Sequence, residues 1–305
     1  MNIQWYPGHM YKASKDIRQA LPDVDLLIEV LDARIPFSSQ NPMLQNLRGD
    51  KPTIRLLNKA DLADPVITQT WQDYFEREHA VKTLAVTRLY PDKIKRVTEL
   101  CRAILARKLT ANRVIRCMIL GIPNVGKSTI INMLAGKAIA KTGNEPAVTK
   151  RQQRIDLGGN IVLSDTPGVL WPNVENRHSG YRLAVTGAIK DTAFQHDDIA
   201  IYAADYVLKV YPRLLEKRYQ LDVLPPNGLA LLQAIGRKRG CLRAGQQVDV
   251  DKAAKLFLTE LRAGKIGLIS LETPDMIAAE MIELAAVQAE KAARRLSSRS
   301  RLADE

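Results

Sequence analysis

The sequence of 305 residues has few cysteines, few aromatic residues and no long apolar run. Its three cysteines, Cys101, Cys117 and Cys241, are far apart and have neither a CxxC nor a Cys/His spacing, which indicates reduced thiols rather than a disulfide framework or a metal site. No apolar stretch is long enough to cross a bilayer, so a membrane-spanning role is not expected. Because the first ten residues fit neither a secretory signal nor a mitochondrial import peptide, we expect a cytoplasmic protein.

Acidic residues are also in deficit. The chain has 33 of them against 45 lysines and arginines, which gives a formal net charge of +12 and a pI near 9.6. This excess predicts a polyanionic partner, and nucleic acid is favoured over an anionic membrane because no lipidation signal is present. The alternative is a solvated basic surface with no partner. A 46% hydrophobic fraction is enough to bury a core in one large or two ordinary domains.

Four short, mostly apolar runs each lead into a polar or glycine-containing loop, and helical patterns lie between them. Strands that alternate with helices predict an α/β fold with a doubly wound, mostly parallel sheet and ligand loops at the carboxyl ends of the strands. The predicted strands are residues 26–31, 53–57, 114–120 and 161–163, and the predicted helices include residues 65–79 and 92–109.

After residue 172 the apolar positions recur at helical spacing, which predicts a second, smaller and all-helical domain. Its last helix is expected to have Thr273 as N-cap and Pro274 at its first position, and to run toward Arg295. The serine- and arginine-bearing residues 296–301 are expected to be disordered. The predicted division is an α/β domain over residues 1–175, a helical RNA-binding domain over residues 176–285 and a basic tail over residues 286–305. The other predicted helical segments are residues 181–215, 228–235 and 251–263.

A GxxxxGKS motif occupies residues 121–128, after a predicted strand and at the start of a predicted helix. In that context its glycines let backbone N–H groups and the helix N-terminus face the phosphates of a nucleotide. Lys127 is expected to reach the β- and γ-phosphates, and Ser128 to bind Mg²⁺. An accidental glycine-containing turn is the alternative. The nucleotide-binding residues predicted here are Asn124, Val125, Gly126, Lys127, Ser128 and Thr129.

The tetrad NKAD at residues 58–61 follows the second predicted strand. Guanine offers two donors, N1–H and its exocyclic amine, which the single carboxylate of Asp61 can accept side by side. Asn58 is expected to hold the loop and the carbonyl side of the base, while the aliphatic stem of Lys59 covers the face of the base. Such a site rejects ATP, since adenine leaves the carboxylate unpaired. An accidental match is the alternative.

Two further positions complete the predicted phosphate end. Asp165, the first residue of a DTPG motif, is expected to hold Mg²⁺ through water, and the backbone N–H of Gly168 to meet the γ-phosphate. Thr149, in the Gly/Pro-containing segment 141–150, is the candidate switch threonine of the metal shell; the alternative is an ordinary loop residue.

Val169 stands where Ras-type GTPases carry the glutamine that orients the attacking water, and valine cannot do so. His9, in a Pro-Gly-His-Met turn, is the candidate replacement, because neutral imidazole both donates and accepts. Packing of the N-terminal segment or contact with a partner explains His9 equally well.

Asn124 matches the position that supplies an oxygen to K⁺ in potassium-activated GTPases, and backbone capping is its alternative explanation.

The guanine tetrad precedes the phosphate loop, the reverse of the usual order, which predicts a P-loop GTPase fold with circular permutation. Over most of its length the chain resembles the ribosome biogenesis GTPase A family, the YlqF-type permuted GTPases. The resemblance implies binding of GTP and GDP, hydrolysis stimulated by the large ribosomal subunit, a late role in assembly of that subunit, dependence on K⁺ through Asn124, water positioning by His9, and ribosomal RNA contacts by the helical domain. The family signatures are residues 5–10, 32–36, 170–172, 183–190 and 238–242.

The chain departs from the family pattern at Ala147, where glycine is usual, and around residues 86–88, where the last base-contacting motif is poorly formed. No role is assigned to residues 86–88.

The sequence motifs can be compared with two other classes of function. A nucleotide-regulated RNA-binding module with incidental hydrolysis fits Val169 and the basic tail. A P-loop kinase or ATPase leaves the NKAD tetrad unexplained.

Overall fold

The computed structural model describes residues 8–106, 113–140, 153–171 and 174–303, with the side chains of His9 and residues 292–303 outside that description. One six-stranded sheet has the order β3-β2-β1-β4-β6-β5. All neighbouring strands are parallel except β5 and β6, which are antiparallel. The strands are β1 (Leu26–Asp32), β2 (Thr53–Asn58), β3 (Val81–Ala85), β4 (Ile115–Leu120), β5 (Gln153–Asp156) and β6 (Ile161–Asp165).

Within the described ranges, five helices belong to this α/β region, and proline marks the start of three of them. Pro42, Pro65 and Pro91 each occupy a first position, where the missing N–H costs no hydrogen bond. Asn41 and Asp64 cap two of these helices by accepting from backbone N–H groups of the first turn. The helices are α1 (Gly8–Ala20), α2 (Pro42–Arg48), α3 (Pro65–Phe75), α4 (Pro91–Leu105) and α5 (Lys127–Ala135).

The remainder of the described chain is helical. The segment 181–215, predicted from one continuous spacing, is divided by a turn at Gly187 and by Pro212, which begins a new helix. The helices are α6 (Arg177–Val185), α7 (His196–Val210), α8 (Pro212–Tyr219), α9 (Gly228–Lys238), α10 (Val250–Arg262) and α11 (Pro274–Ala303). None of the helices in the described ranges has an apolar stretch long enough to span a membrane.

The doubly wound, mostly parallel sheet and the helical region that follows it are confirmed, and several local predictions need correction. Residues 296–301 continue α11 instead of being disordered, because the segment contains no glycine or proline to end a helix. His9 lies in the first turn of α1 rather than in an isolated turn. The helices predicted to reach His79 and Leu109 end at Phe75 and Leu105.

The helical region and the sheet share their hydrophobic core. One large buried cluster contains strand residues such as Ile119 together with helical residues such as Leu183 and Phe257. In a second, smaller cluster Trp71 of α3 packs with Ile277 of α11. The indole N–H of Trp71 also donates to the backbone carbonyl of Glu272 at 3.1 Å. The helical region is therefore packed against the α/β region at more than one place.

Candidate functional site

Strand pairing brings the predicted motifs to one edge of the sheet. Central β1 pairs with β2, so that Asp32 lies opposite Asn58. On its other side β1 pairs with β4, and β4 pairs with β6 so that Ile119 lies opposite Asp165. Because the carboxyl ends of parallel strands share an edge, the loops that follow β1, β2, β4 and β6 lie side by side.

A hydrogen bond joins the guanine tetrad to the phosphate loop. The side-chain amide of Asn58 donates to the backbone carbonyl of Val125 at 2.7 Å, although 67 positions separate these residues. Gly126 has a φ of 96°, and a Cβ there would clash with the amide of Asn58. Glycine is therefore needed at 126 both for its backbone angle and for this close approach. The two motifs form one continuous site.

The phosphate loop has the backbone of an anion cradle. Gly121, Asn124 and Gly126 all have positive φ, and α5 begins directly afterwards with its N-terminus toward the loop. Lys127 is buried, and its ammonium donates to the carbonyls of Gly121 and Ile122, each at 2.9 Å. Burial lowers the pKa of Lys127, and nearby Asp165 opposes that shift. The ammonium is thus held over the loop that the phosphates of a nucleotide would enter.

Asp165 has the features expected of a group that helps to hold Mg²⁺. Its carboxylate is buried, and Oδ1 has no hydrogen-bond partner in the described part of the chain. Burial raises the pKa of Asp165, while Lys127 and a backbone hydrogen bond from Thr166 lower it. A buried carboxylate oxygen without a donor suits a hard divalent cation or one of its water ligands. Half-buried Ser128 supplies a second oxygen from the start of α5, and Thr149 lies outside the described residues.

The DTPG loop lies directly against the phosphate loop. A Cβ at Gly168 would come within 2.9 Å of the backbone of Pro123 and 3.0 Å of the Lys127 ammonium, so no larger residue fits there. The N–H of Val169 donates to the carbonyl of Gly121 at 3.3 Å, and the Asn41 side chain donates to the carbonyl of Val169 at 2.9 Å. The Val169 side chain is only 1% exposed, so it packs in the core.

A buried ion-pair network holds Lys59, the lysine of the NKAD tetrad. No role for this network was predicted from the sequence. Lys59 has a φ of 59°, and its ammonium donates to Asp32 Oδ2 at 2.8 Å. Arg34 binds the same carboxylate through two nitrogens, at 2.9 and 2.7 Å. Burial favours the neutral acid, but Arg34 and Lys59 together hold the pKa of Asp32 well below its usual range. This network anchors the Lys59 ammonium at the end of β1. The aliphatic part of the Lys59 side chain is therefore held between that anchor and its own backbone, next to Asn58.

The helical region supports the base end of the site through the linker between α10 and α11. The N–H of Ile269 donates to the carbonyl of Leu62 at 3.0 Å, just after half-buried Asp61. The N–H of Leu271 donates to the carbonyl of Arg34 at 2.8 Å. No local pattern predicts these contacts, because they join segments about 200 positions apart. The loop that carries Asp61 is therefore attached to the helical region.

Residues 86–88 also adjoin the guanine tetrad. The N–H of Ala60 donates to the carbonyl of Val86 at 3.1 Å, and the N–H of Val86 donates to the carbonyl of Leu57 at 2.9 Å.

Two other predicted residues, Asn124 and His9, have different outcomes. Asn124, at the phosphate end of the site, donates from its side-chain amide to the carbonyl of Gly187 at 2.8 Å. The side chain of His9 is outside the described part, so its predicted role stays a prediction.

Comparison with known proteins agrees with this arrangement. A protein-family model described as "50S ribosome-binding GTPase" matches residues 116–224, beginning in β4, so that the NKAD tetrad lies upstream of the match. The chain is 46% identical to Ribosome biogenesis GTPase A of Priestia megaterium, with 90% of this chain and 98% of that protein covered. It is 32% identical to the protein of the same name from Thermotoga maritima, over 90% of this chain and 96% of the other.

A solved structure is similar as well. The crystal structure of GNP-bound YlqF from T. maritima superposes with a TM-score of 0.61 at 28% sequence identity. The superposition covers 87% of this chain and 99% of that one. Since both the sheet and the helical region fall within a match of this extent, the similarity extends beyond the nucleotide motifs.

Proposed function

The chain belongs to the ribosome biogenesis GTPase A family, and from this premise we propose that it binds the immature large (50S) ribosomal subunit and uses GTP binding and hydrolysis to drive a late step of its assembly. Membership of the family makes it a GTPase of ribosome biogenesis. The observation that carries the proposal is the hydrogen bond between Asn58 and Val125, which makes a guanine-reading loop and a phosphate loop parts of one site.

We infer a role for each end of this site. Asp61 accepts the two guanine donors while the stem of Lys59, anchored by Asp32, covers the base. At the other end Lys127 and the N-terminus of α5 bind the phosphates. Ser128, Asp165 and Thr149 would hold Mg²⁺, which would neutralise part of the negative charge on the phosphates.

K⁺ is the second cation in the proposal. The Asn124 amide nitrogen is bound to the carbonyl of Gly187, which turns the oxygen end of that amide in another direction. The amide oxygen of Asn124 would hold the monovalent cation, which would lower the negative charge of the transition state. The same bond restrains the left-handed backbone of Asn124, whose φ is 59°.

The excess of lysine and arginine over acidic residues supports the proposal that the partner is ribosomal. A net charge of +12 favours contact with RNA phosphates, and such contacts make docking strongly dependent on salt. In the proposed cycle the GTP-bound protein docks on the precursor, and loss of the γ-phosphate contacts at Gly168 and Thr149 loosens the switch and releases the protein.

GTP turnover measured with and without purified large-subunit precursors tests this proposal. We expect stimulation by the precursor, weaker stimulation at higher salt, and little turnover of ATP, because adenine cannot pair with Asp61. Small subunits serve as the control RNA–protein particle. Equal turnover with and without precursors, or equal turnover of ATP and GTP, contradicts the proposal.

Replacing His9 with alanine tests the proposed water-positioning group. The buried side chain of Val169 offers no polar atom to water, so we expect the H9A variant to lose about a hundredfold in GTP turnover with nearly unchanged nucleotide affinity. His79, which is exposed and distant in sequence, gives the matched control H79A. Turnover of H9A equal to that of H79A removes His9 from the mechanism.

The same variant separates the proposal from its alternative, a nucleotide-regulated RNA-binding module whose hydrolysis is incidental. The apolar residue at 169 and the basic end of α11 favour that alternative. If H9A binds GTP, fails to hydrolyse it and still supports subunit assembly in cells, binding alone is the switch. If assembly stops, hydrolysis is required.

A further inference from the structure

The turn that follows α6 presents a backbone carbonyl to the phosphate loop. Gly187 has a φ of 79°, and the N–H of Ala188 donates to the carbonyl of Leu183 at 2.9 Å, an arrangement typical of a helix that ends at glycine. The Gly187 carbonyl accepts from the amide of Asn124 at 2.8 Å. The conformation of this turn therefore determines where the acceptor for Asn124 lies.

Arg262, the last residue of α10, holds the same turn from its other side. Its Nε donates to the carbonyl of Val185 and its Nη2 to the carbonyl of Ala184, both at 2.8 Å. Nη2 also forms an ion pair with Asp191 at 2.9 Å. One guanidinium thus donates to two carbonyls of the last turn of α6, where helix carbonyls lack their usual intrahelical donors; the Ala184 carbonyl also accepts from the N–H of Gly187.

Arg262 is also where α10 passes into the linker that reaches the base end of the site. Seven and nine positions later, Ile269 and Leu271 donate to the carbonyls of Leu62 and Arg34. The residue therefore lies between the two places at which the helical region contacts the nucleotide site.

We propose that Arg262 is a positioning residue of the phosphate loop, acting through the Gly187 carbonyl on the side chain of Asn124. The inference rests on the proposed function, because it gives the helical region a route by which docking changes GTP hydrolysis. Asn124 has a left-handed backbone that surrounding contacts must maintain. Loss of the guanidinium removes a donor from the carbonyls of Val185 and Ala184, of which Ala184 keeps the N–H of Gly187 at 3.1 Å, and the turn then holds Asn124 less firmly.

Three variants separate positioning from general stability. Arg262→Met removes the hydrogen bonds and keeps most of the side-chain length. Arg262→Lys keeps the charge but lacks the planar guanidinium fork that binds both carbonyls and Asp191 in one fixed geometry. Asp191→Asn removes the ion pair and leaves the two carbonyl bonds of Arg262 in place, so it is the matched control.

Amide hydrogen exchange of nucleotide-free protein is the first measurement, since it requires neither cation nor turnover. In R262M we expect faster exchange in residues 184–188 and 122–126, with α3 and α4 unchanged. In steady-state kinetics we expect kcat to fall about three- to thirtyfold with KM for GTP within about twofold of wild type. R262K should be intermediate, and D191N should be close to wild type.

Phosphate-loop exchange and kcat that remain at wild-type values in a folded R262M overturn the inference. If R262M does not fold, R262K decides: faster loop exchange and lower kcat than in D191N support positioning, and equality with D191N rejects it. Absence of GTP turnover in the wild-type protein would instead contradict the proposed function, and the exchange comparison would still test Arg262.

Discussion

The K127M variant is expected to lose about a thousandfold in GTP turnover. Methionine keeps the length of the side chain at position 127 but removes the ammonium that donates to the carbonyls of Gly121 and Ile122. We propose that, with GTP bound, the same ammonium meets the developing charge on the β- and γ-phosphate oxygens. Its burial strengthens this electrostatic effect, because little water screens the charge.

Single-turnover hydrolysis and binding of a fluorescent GDP, measured on the same preparation, separate loss of catalysis from loss of affinity. The matched control is K137M, because Lys137 is exposed two residues after the end of α5. A thermal melt of both variants shows whether loss of the ammonium's hydrogen bonds to the loop carbonyls destabilises the fold. Turnover in K127M equal to that in K137M is incompatible with a phosphate role for Lys127.

The strands that carry the motifs were predictable because each is a short apolar run. β1, β2, β4 and β6 are mostly buried, so their composition alone distinguishes them from loops. β3 and β5 were missed. β5 has three exposed residues out of four, and both strands lie at edges of the sheet, where burial imposes less of an apolar pattern.

The contacts that organise the site were less predictable than its motifs. A motif predicts which groups meet the nucleotide, because the chemistry of phosphate and guanine dictates the residue types. The Asp32 carboxylate that anchors Lys59 was visible only as part of a family signature at the end of β1, and its role follows from the parallel pairing of β1 with β2. The support of Leu62 by Ile269 depends on tertiary packing between distant segments, for which local sequence carries no signal.

Asparagine in place of Asp61 is expected to change the preferred base from guanine to xanthine. We propose that the carboxylate accepts from both N1–H and the exocyclic amine. An asparagine amide keeps only an uncharged bond to N1–H and sets its own NH2 against the amine, which lowers GTP affinity by about 10²- to 10⁴-fold. Xanthine carries a carbonyl where guanine has the amine. The amide of asparagine can accept from N1–H and donate to that carbonyl, so the variant regains a matched pair of bonds with XTP.

Competition of GTP, XTP and ATP for the D61N variant measures this change, and D73N is the matched control. Asp73 lies exposed on α3, where its carboxylate accepts from the side chain of Gln69 at 2.8 Å, far from any motif of the site. Lys59 is anchored by its hydrogen bond to Asp32 and Asn58 by its bond to Val125, so both contacts should remain in place when the nearby charge at position 61 is removed. XTP should therefore bind D61N more tightly than GTP does, whereas D73N should keep the wild-type order. A D61N variant that still prefers GTP would show that another group reads the base.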